Sequence, residues 1–270
     1  MTIIEAMRHR RSVRSFDGKG ISEKEAEMLL SFANQVENPY EIPIGWKILD
    51  ARAHGLKSPV ITGTDFFMAG KMRKVPHAEE AFGYTFEEVV LYAEQQGLGT
   101  TWIAGTMDRS AFEKAMRLAP DEVMPCVSPL GHPAAKMSLR ESLMRKGVKA
   151  DWRLDFGELF FRDSFDTPLP KEEAGSLAEP LEMVRLAPSA VNKQPWRAVI
   201  CGGKVHFYEK HGKGYVSDGW DIQKIDMGIA LCHFVLAARE CGMKVSFVQE
   251  DPRLATPEDT EYMATCTLEE

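Results

Sequence analysis

No apolar run in this chain approaches the roughly 20 residues that a bilayer-crossing helix needs, which excludes a helical membrane span. Cysteine is sparse. The five thiols Cys126, Cys201, Cys232, Cys241 and Cys266 are odd in number, with no C-x-x-C pair and no histidine at zinc spacing. That excludes a disulfide framework and a zinc ribbon, and buried reduced thiols are expected. His77, His132, His206, His211 and His233 likewise form no ligand pattern, so no metal is expected, and His233 in LCHFVLAA reads as an ordinary helix residue. Positive charge is also short: 33 Lys and Arg against 40 Asp and Glu leave a net charge of -7. A deficit of that kind argues against nucleic acid as a partner, because phosphate-neutralising proteins carry a broad basic excess. MTIIEAMRHRR lacks the apolar core and small-residue cleavage site of a secretion signal, so a cytoplasmic location is expected. No G-x-G-x-x-G follows a strand, so no dedicated Rossmann nucleotide site is expected.

What is present is an ordinary globular composition, with 44% hydrophobic and 27% charged residues over 270 positions. That length supports one large domain or two modules of roughly 100 to 150 residues. ISEKEAEMLLSFANQ predicts a helix over 21–35 with Ser22 as its N-cap. WKILDA and SPVITGT predict strands, and YTFEEVVLYAEQQGLG predicts a largely buried helix stopped by Gly97 and Gly99. TTWIAG predicts a short strand, SAFEKAMRLAPDEV a helix ending near Pro120, and MPCVSPLGHP a strand running into a loop. Residues 64–84 read as a lid or substrate-facing segment, with Phe66, Phe67 and Phe82 as ring partners or core. The basic stretch 134–153 reads as a connector, and after it the pattern repeats. SFDGKGISEKEA is echoed by SFDTPLPKEEA, WKIL after Trp46 by WRAV after Trp196, and LYAEQQGLG by LAARECGMK, at offsets of 149, 150 and 145. A near-constant offset in three ordered elements indicates tandem duplication.

Three motifs carry chemistry: R-R-S-x-R at residues 10–14, G-L-G-x-x-W-I-x-G at 97–105 and A-P-S-A-x-N-x-Q-P-W at 187–196. Together they resemble the FMN-dependent nitroreductase superfamily, in its tandem, single-chain branch. The resemblance implies an α+β, nitroreductase-like fold: two tandem repeats, each a mostly antiparallel sheet flanked by helices, packed as an intramolecular pseudo-dimer. The halves would be residues 1–157, with the arginine cluster and WIAG, and 158–270, with the proline-framed loop. In that family one subunit supplies the arginines and the other the P-S-x-x-N loop. Here the first half has NQVENPYEIPIGW in place of the loop. The second has FFRDSFD in place of the arginines and KVSFVQED in place of W-I-x-G. Complementary loss implies one complete flavin site between the halves and one decayed site.

The same resemblance assigns Arg10, Ser12 and Arg153 to the FMN phosphate and Arg14 to the pyrimidine edge of the ring. Arginine suits the first task because its planar fork binds phosphate oxygens through two parallel donors. Asp151 stands where the family carries a lysine, and Lys149 is a substitute. Arg11 belongs to the cluster, although alternation along an extended segment turns it and Val13 away from the other three. Arg11, Arg140, Arg145 and Lys146 read as a solvated face. Pro188, Ser189 and Ala190 let backbone approach the flavin, and Asn192 can donate and accept through its amide. Gln194 and Trp196 hold that loop, and Ala104 and Gly105 offer backbone N–H groups near N5.

The implied activity is hydride transfer from NADPH or NADH to flavin N5, then reduction of a small-molecule acceptor such as a nitroaromatic or quinone. A non-enzymatic FMN-binding, storage or sensing protein is the alternative, and an oxygen-consuming flavoenzyme a third reading. A fused pseudo-dimer has no obligate need of a second chain, so a monomer is admissible.

Overall fold

The computed structural model describes residues 1–214, 216–217 and 220–269. In chain order the elements begin with α1 (Ile3–His9), α2 (Glu23–Ala33), β1 (Gly45–Asp50), α3 (Ala51–His54), β2 (Phe66–Arg73) and α4 (Ala78–Gln95). Next come α5 (Arg109–Met116), β3 (Glu122–Val123), β4 (Val127–Leu130), α6 (Leu139–Gly147), α7 (Phe156–Leu159) and β5 (Phe160–Arg162). The chain continues through α8 (Ala178–Leu186), β6 (Trp196–Cys201), β7 (Lys204–Lys210), β8 (Val216–Ser217) and β9 (Trp220–Asp221). It closes with α9 (Ile222–Glu240), β10 (Lys244–Val248) and β11 (Thr260–Glu269).

Two sheets result. In the first, β2 is central, antiparallel to β1 on one side and to β4 and β3 on the other. The second runs β10-β11-β7-β6-β5 and is antiparallel except for the β5–β6 pair. Helix α4 packs on β2, α9 packs on β6, β7 and β10, and the two helices lie against each other. One apolar core runs through both sheets, and a smaller one, with Leu49, Phe67, Phe112 and Val127, lies under α5. The fold is α+β and mostly antiparallel, as the resemblance implies. No described residue before Phe160 enters the second sheet, and a division between residues 157 and 158 falls inside α7.

Several local expectations hold. Ser22 caps α2 in a capping box with Glu25, and Gly97, at φ +77°, follows the end of α4. Others need correction. SPVITGT is not a strand; only Thr62 forms a bridge, to Ser15. TTWIAG is a bridge-making turn rather than a strand, with Thr100 on Ser12 and Ile103 on Val127. Residues 64–84 are not a lid. They contain the central strand and the start of α4, and Phe67 and Phe82 are core. Cys241 is exposed, not buried.

Helices α4 and α9 are buried on nearly every face, which requires apolar character all round rather than one stripe. They approach closely enough that small residues are obligatory. A Cβ on Gly83 would stand 2.0 Å from the carbonyl oxygen of Ile225, and one on Gly228 would stand 2.1 Å from that of Glu80. The contact is reciprocal. Gly83 and Gly228, like Glu80 and Ile225, are 145 positions apart, the offset of the LYAEQQGLG echo. Because backbone cannot rotate away, Gly83→Ala and Gly228→Ala are each expected to destabilise by about 1–3 kcal/mol. Both push the same helices apart, so the double variant should lose less than the sum in urea unfolding. Strict additivity would contradict that geometry.

Candidate functional site

Arg10 ends α1 and turns the chain into extended backbone. Residues 12–16 are held there by Val13 N–H donating to Thr100 (2.8 Å), Thr62 N–H to Arg14 (3.0 Å) and Phe16 N–H to Thr62 (2.9 Å). Val13 is buried, while Arg10, Arg11, Ser12 and Arg14 all reach a common cavity. The expected outward turn of Arg11 is therefore corrected. Its side chain is 40% exposed, and its Nη1 lies 3.5 Å from the buried carboxylate of Glu141.

That cavity, of about 360 Å³, is also lined by Ala104 and Gly105, by Arg153, and by Pro188, Ser189, Ala190 and Asn192. The cofactor-site residues assigned from the sequence, apart from the substitute Lys149, are thus brought to one place, from segments more than 170 positions apart. Its size falls in the usual range of small-molecule sites, about 300–1,000 Å³. Ile222, Ile225 and Ile229 of α9, with Met144 of α6 and Val148 just after it, supply apolar walls.

The electrostatics are unbalanced. The Arg10 side chain is only 6% exposed, its Nε sits 3.8 Å from Glu87, and neither Nε nor Nη1 makes a hydrogen bond among the described residues. Arg153 donates through Nη1 to the carbonyls of Ala150 and Trp152 (both 2.8 Å) and through Nη2 to that of Leu186 (3.1 Å), while its Nε is unpartnered. Burial first, then the neighbouring Arg10 and Arg185, pushes the Arg153 guanidinium down to about 10. Burial likewise lowers Arg14, against the opposing pull of Glu141. Buried cations that repel one another with donors left over form a site for an anion.

The loop after α8 is shaped by local bonds. Ser189 Oγ accepts from Gln194 N–H (2.9 Å), and Gln194 Oε1 accepts from Leu154 N–H (2.9 Å). Gln194 holds the loop through those bonds, and Trp196, fully buried, starts β6 behind it. Val191, Asn192 and Gln194 have φ of 43°, 59° and 52°. That left-handed backbone is unfavourable, most of all for the β-branched valine, and local strain of this kind gathers at ligand sites. Asn192 lines the cavity, and its amide both donates and accepts, with partners in the chain. Its amide donates to the carbonyls of Lys149 (2.8 Å) and Trp152 (2.9 Å) and accepts from Arg153 (3.2 Å), which ties the loop to the connector. Lys149 contributes that carbonyl, not its ammonium.

Across the cavity, the Ala104 carbonyl accepts from Arg109 (2.9 Å). The N–H groups of Ala104 and Gly105 have no acceptor among the described residues. Trp102 Nε1 donates to Glu87 Oε2 (2.8 Å), and His233 Nε2 lies 3.0 Å from Glu87 Oε1. His233 Nδ1 bonds the Met183 carbonyl (2.9 Å), so the ring holds α9 to α4 and α8.

Four residues escaped the sequence reading. Arg145 was grouped with a solvated face, but its side chain is 15% exposed, ion-paired to Asp151 and at the cavity. The Glu87–His233 pair joins residues 146 positions apart and leaves no local pattern. Asp226 lies on α9 among apolar residues and accepts the Ala190 N–H at 3.0 and 3.1 Å.

Burial pushes the Asp226 carboxyl well above the usual range, the Ala190 bond opposing. The folded chain then keeps a proton that the unfolded chain releases once pH passes the ordinary carboxylate value. Stability falls as pH rises from there toward the folded pKa. Asp226→Asn cannot ionise and is expected to melt several degrees above the parent at neutral pH, the gap closing in acid. Parallel melting curves throughout would contradict it.

A family model described as "Putative TM nitroreductase" matches residues 2–238. Among solved structures, the chain is similar to a Thermotoga maritima protein described as a "putative nitroreductase", at 22% identity and a TM-score of 0.65. That match covers 99% of this chain and 93% of the other. A Clostridium difficile 630 nitroreductase family protein matches at 14% identity and a TM-score of 0.47, over 58% of this chain and 96% of its own. An FMN-dependent nitroreductase of Clostridium difficile R20291 matches at 13% and 0.42, over 50% and 90%. No curated protein matches. With the family model spanning most of its length, the chain belongs to the "Putative TM nitroreductase" family.

Proposed function

We propose that the chain is an FMN-dependent oxidoreductase whose two halves, residues 1–157 and 158–270, pack as a pseudo-dimer around one flavin site. The observation that carries this reading is the pair of buried guanidiniums, Arg10 and Arg153, with unpartnered nitrogens in a cavity drawn from both ends of the sequence. The fit to FMN is chemical. A phosphate with close to two negative charges answers the mutual repulsion of the arginines, and a flat apolar ring answers the isoleucine wall of α9.

When bound, FMN would supply the two-electron chemistry, between NADPH or NADH and a small acceptor such as a nitroaromatic or quinone. The remaining tasks fall to the chain. Arg10, Ser12 and Arg153 hold the phosphate. Arg14 places a fixed charge at the pyrimidine edge, where it favours the reduced state. Free N–H groups at Ala104 and Gly105 orient the ring, and Pro188, Ser189 and Ala190 close over it while Ile225 and Ile229 exclude water. Asn192 acts as a brace for that loop. The reciprocal Gly83 and Gly228 contacts support the pseudo-dimer, because residue i meeting j while j's counterpart meets i's is the mark of a two-fold interface.

The experiment is anaerobic addition of NADPH or NADH to the FMN-loaded protein, with an acceptor added afterwards. Loss of the yellow absorbance and its return with the acceptor are expected. Persistent colour with tightly held FMN would overturn the catalytic reading and leave a flavin-binding protein without turnover.

A further inference from the structure

Outside the cavity, three side chains converge where the chain enters α9: Glu209 in β7, His211 just after it, and Asp221, which caps α9. One ligand-type atom from each lies within 4.8 Å of the others. The sequence hides this, since ligands at 209, 211 and 221 follow no metal spacing and only the β7–α9 connection brings the third to the first two. The expectation that His211 belongs to no ligand pattern is corrected to that extent.

Three acidic or basic side chains in proximity are common, but Glu209 is unusual. It is fully buried, and neither carboxylate oxygen makes a hydrogen bond among the described residues, although His211 Nδ1 lies only 2.9 Å from Oε1. An ionised carboxylate buried without a donor is costly unless a cation meets it. Metal bonds of about 2.0–2.2 Å place adjacent ligand atoms roughly 3 Å apart, which matches that close, non-bonded approach. The other ring nitrogen, His211 Nε2, lies 3.0 Å from Glu261 Oε2. A carboxylate in that position fixes the tautomer of a metal-bound imidazole. Asp221 spends Oδ1 on the N–H of Gln223 (2.9 Å), and Oδ2 has no hydrogen bond among the described residues. Glu79, Glu80, Glu209 and Glu261 surround Lys224, so the local field remains negative around that single ammonium.

We propose that Glu209, His211 and Asp221 bind a divalent transition-metal ion of the zinc class, with Glu261 orienting the histidine. Two carboxylate oxygens and one imidazole nitrogen suit such an ion and leave a fourth position for water. The ion clamps the β7–α9 connection to the start of the helix whose first turns wall the cavity. Trp220, in that connection, lies 5.3 Å beneath Arg109, which donates to the Ala104 carbonyl, so the clamp is linked mechanically to the cavity rim. The proposal stands whether or not the cavity holds a flavin.

The test uses the full chain, stripped with a chelator and titrated with Zn2+ against a chromophoric competitor, with melting temperature followed in parallel. One zinc per chain and a higher melting temperature are expected. His211→Ala, at an exposed position, should remove both effects without unfolding the chain, and Glu209→Gln should do the same. Glu261→Gln should weaken binding by about 10-fold or more, the usual effect of losing an outer-shell carboxylate. Absence of zinc binding in the parent would overturn the site and leave His211 as a bridge between two carboxylates. So would zinc binding that survives His211→Ala or disappears instead in Cys241→Ser.

Discussion

Arg10→Ala is expected to weaken FMN binding by about 100-fold or more while leaving the flavin-free chain folded. Truncating one partner of a buried, hydrogen-bonded charge pair costs about 2–5 kcal/mol, and each 1.4 kcal/mol is roughly a factor of ten. Arg10 qualifies on burial, with a 6% exposed side chain, and on unused donors at Nε and Nη1. Arg153 has already committed four donations to protein acceptors. Arg11 is 40% exposed and faces Glu141, so Arg11→Ala should cost far less. Arg10→Lys keeps the charge but loses the fork and should fall between. Quenching of FMN fluorescence on titration gives each constant. Equal affinities for the parent and Arg10→Ala would remove Arg10 from the phosphate site.

Glu87→Ala should produce the largest loss of stability among single substitutions in the core. Glu87 is fully buried, takes the Trp102 indole N–H on one oxygen and His233 on the other, and stands 3.8 Å from Arg10. Both ring nitrogens of His233 face oxygen atoms, one of Met183 and one of Glu87. Removing the carboxylate leaves the indole and the imidazole without their common acceptor and the Arg10 guanidinium without its nearest counter-charge. Breaking such a pair costs about 3–5 kcal/mol, and each kcal/mol moves the melting temperature of a chain this size by roughly 2–4 °C. A fall of roughly 10 °C is therefore expected in thermal denaturation. Glu87→Gln retains one acceptor and should lose less. If Glu87→Ala melts with the parent, the network does not join α4 to α9 energetically.

Much of the site could be read in the sequence because its chemistry is carried by short contiguous words. RRSVR, WIAG and the APSAVN loop each hold several cavity residues, so recognising the word located the group. Ser22 and Gly97 were legible for a similar reason: capping and left-handed termination depend on neighbours a few positions away. What the sequence concealed depends on distant partners. Strand β2 reads FFMAGKMR, and burial on both faces suppresses the alternation that marks a half-buried strand. Its aromatic pair then suggested a lid. SPVITGT has β-branched residues but finds no ladder beyond Thr62. Arg145 looked solvated because its helix is basic, and only the fold brings it beside Arg14 and Arg153. Glu87 met His233 through the α4–α9 crossing, whose closeness rests on two glycines that no periodicity distinguishes.

The most direct test is a stoichiometric titration of the flavin-free chain with FMN, read by absorbance and fluorescence, with the mass of the loaded particle measured alongside. One FMN per chain, lost in Arg10→Ala, is the predicted result. Two equivalent flavins per chain, or none, would contradict a single site shared by the two halves.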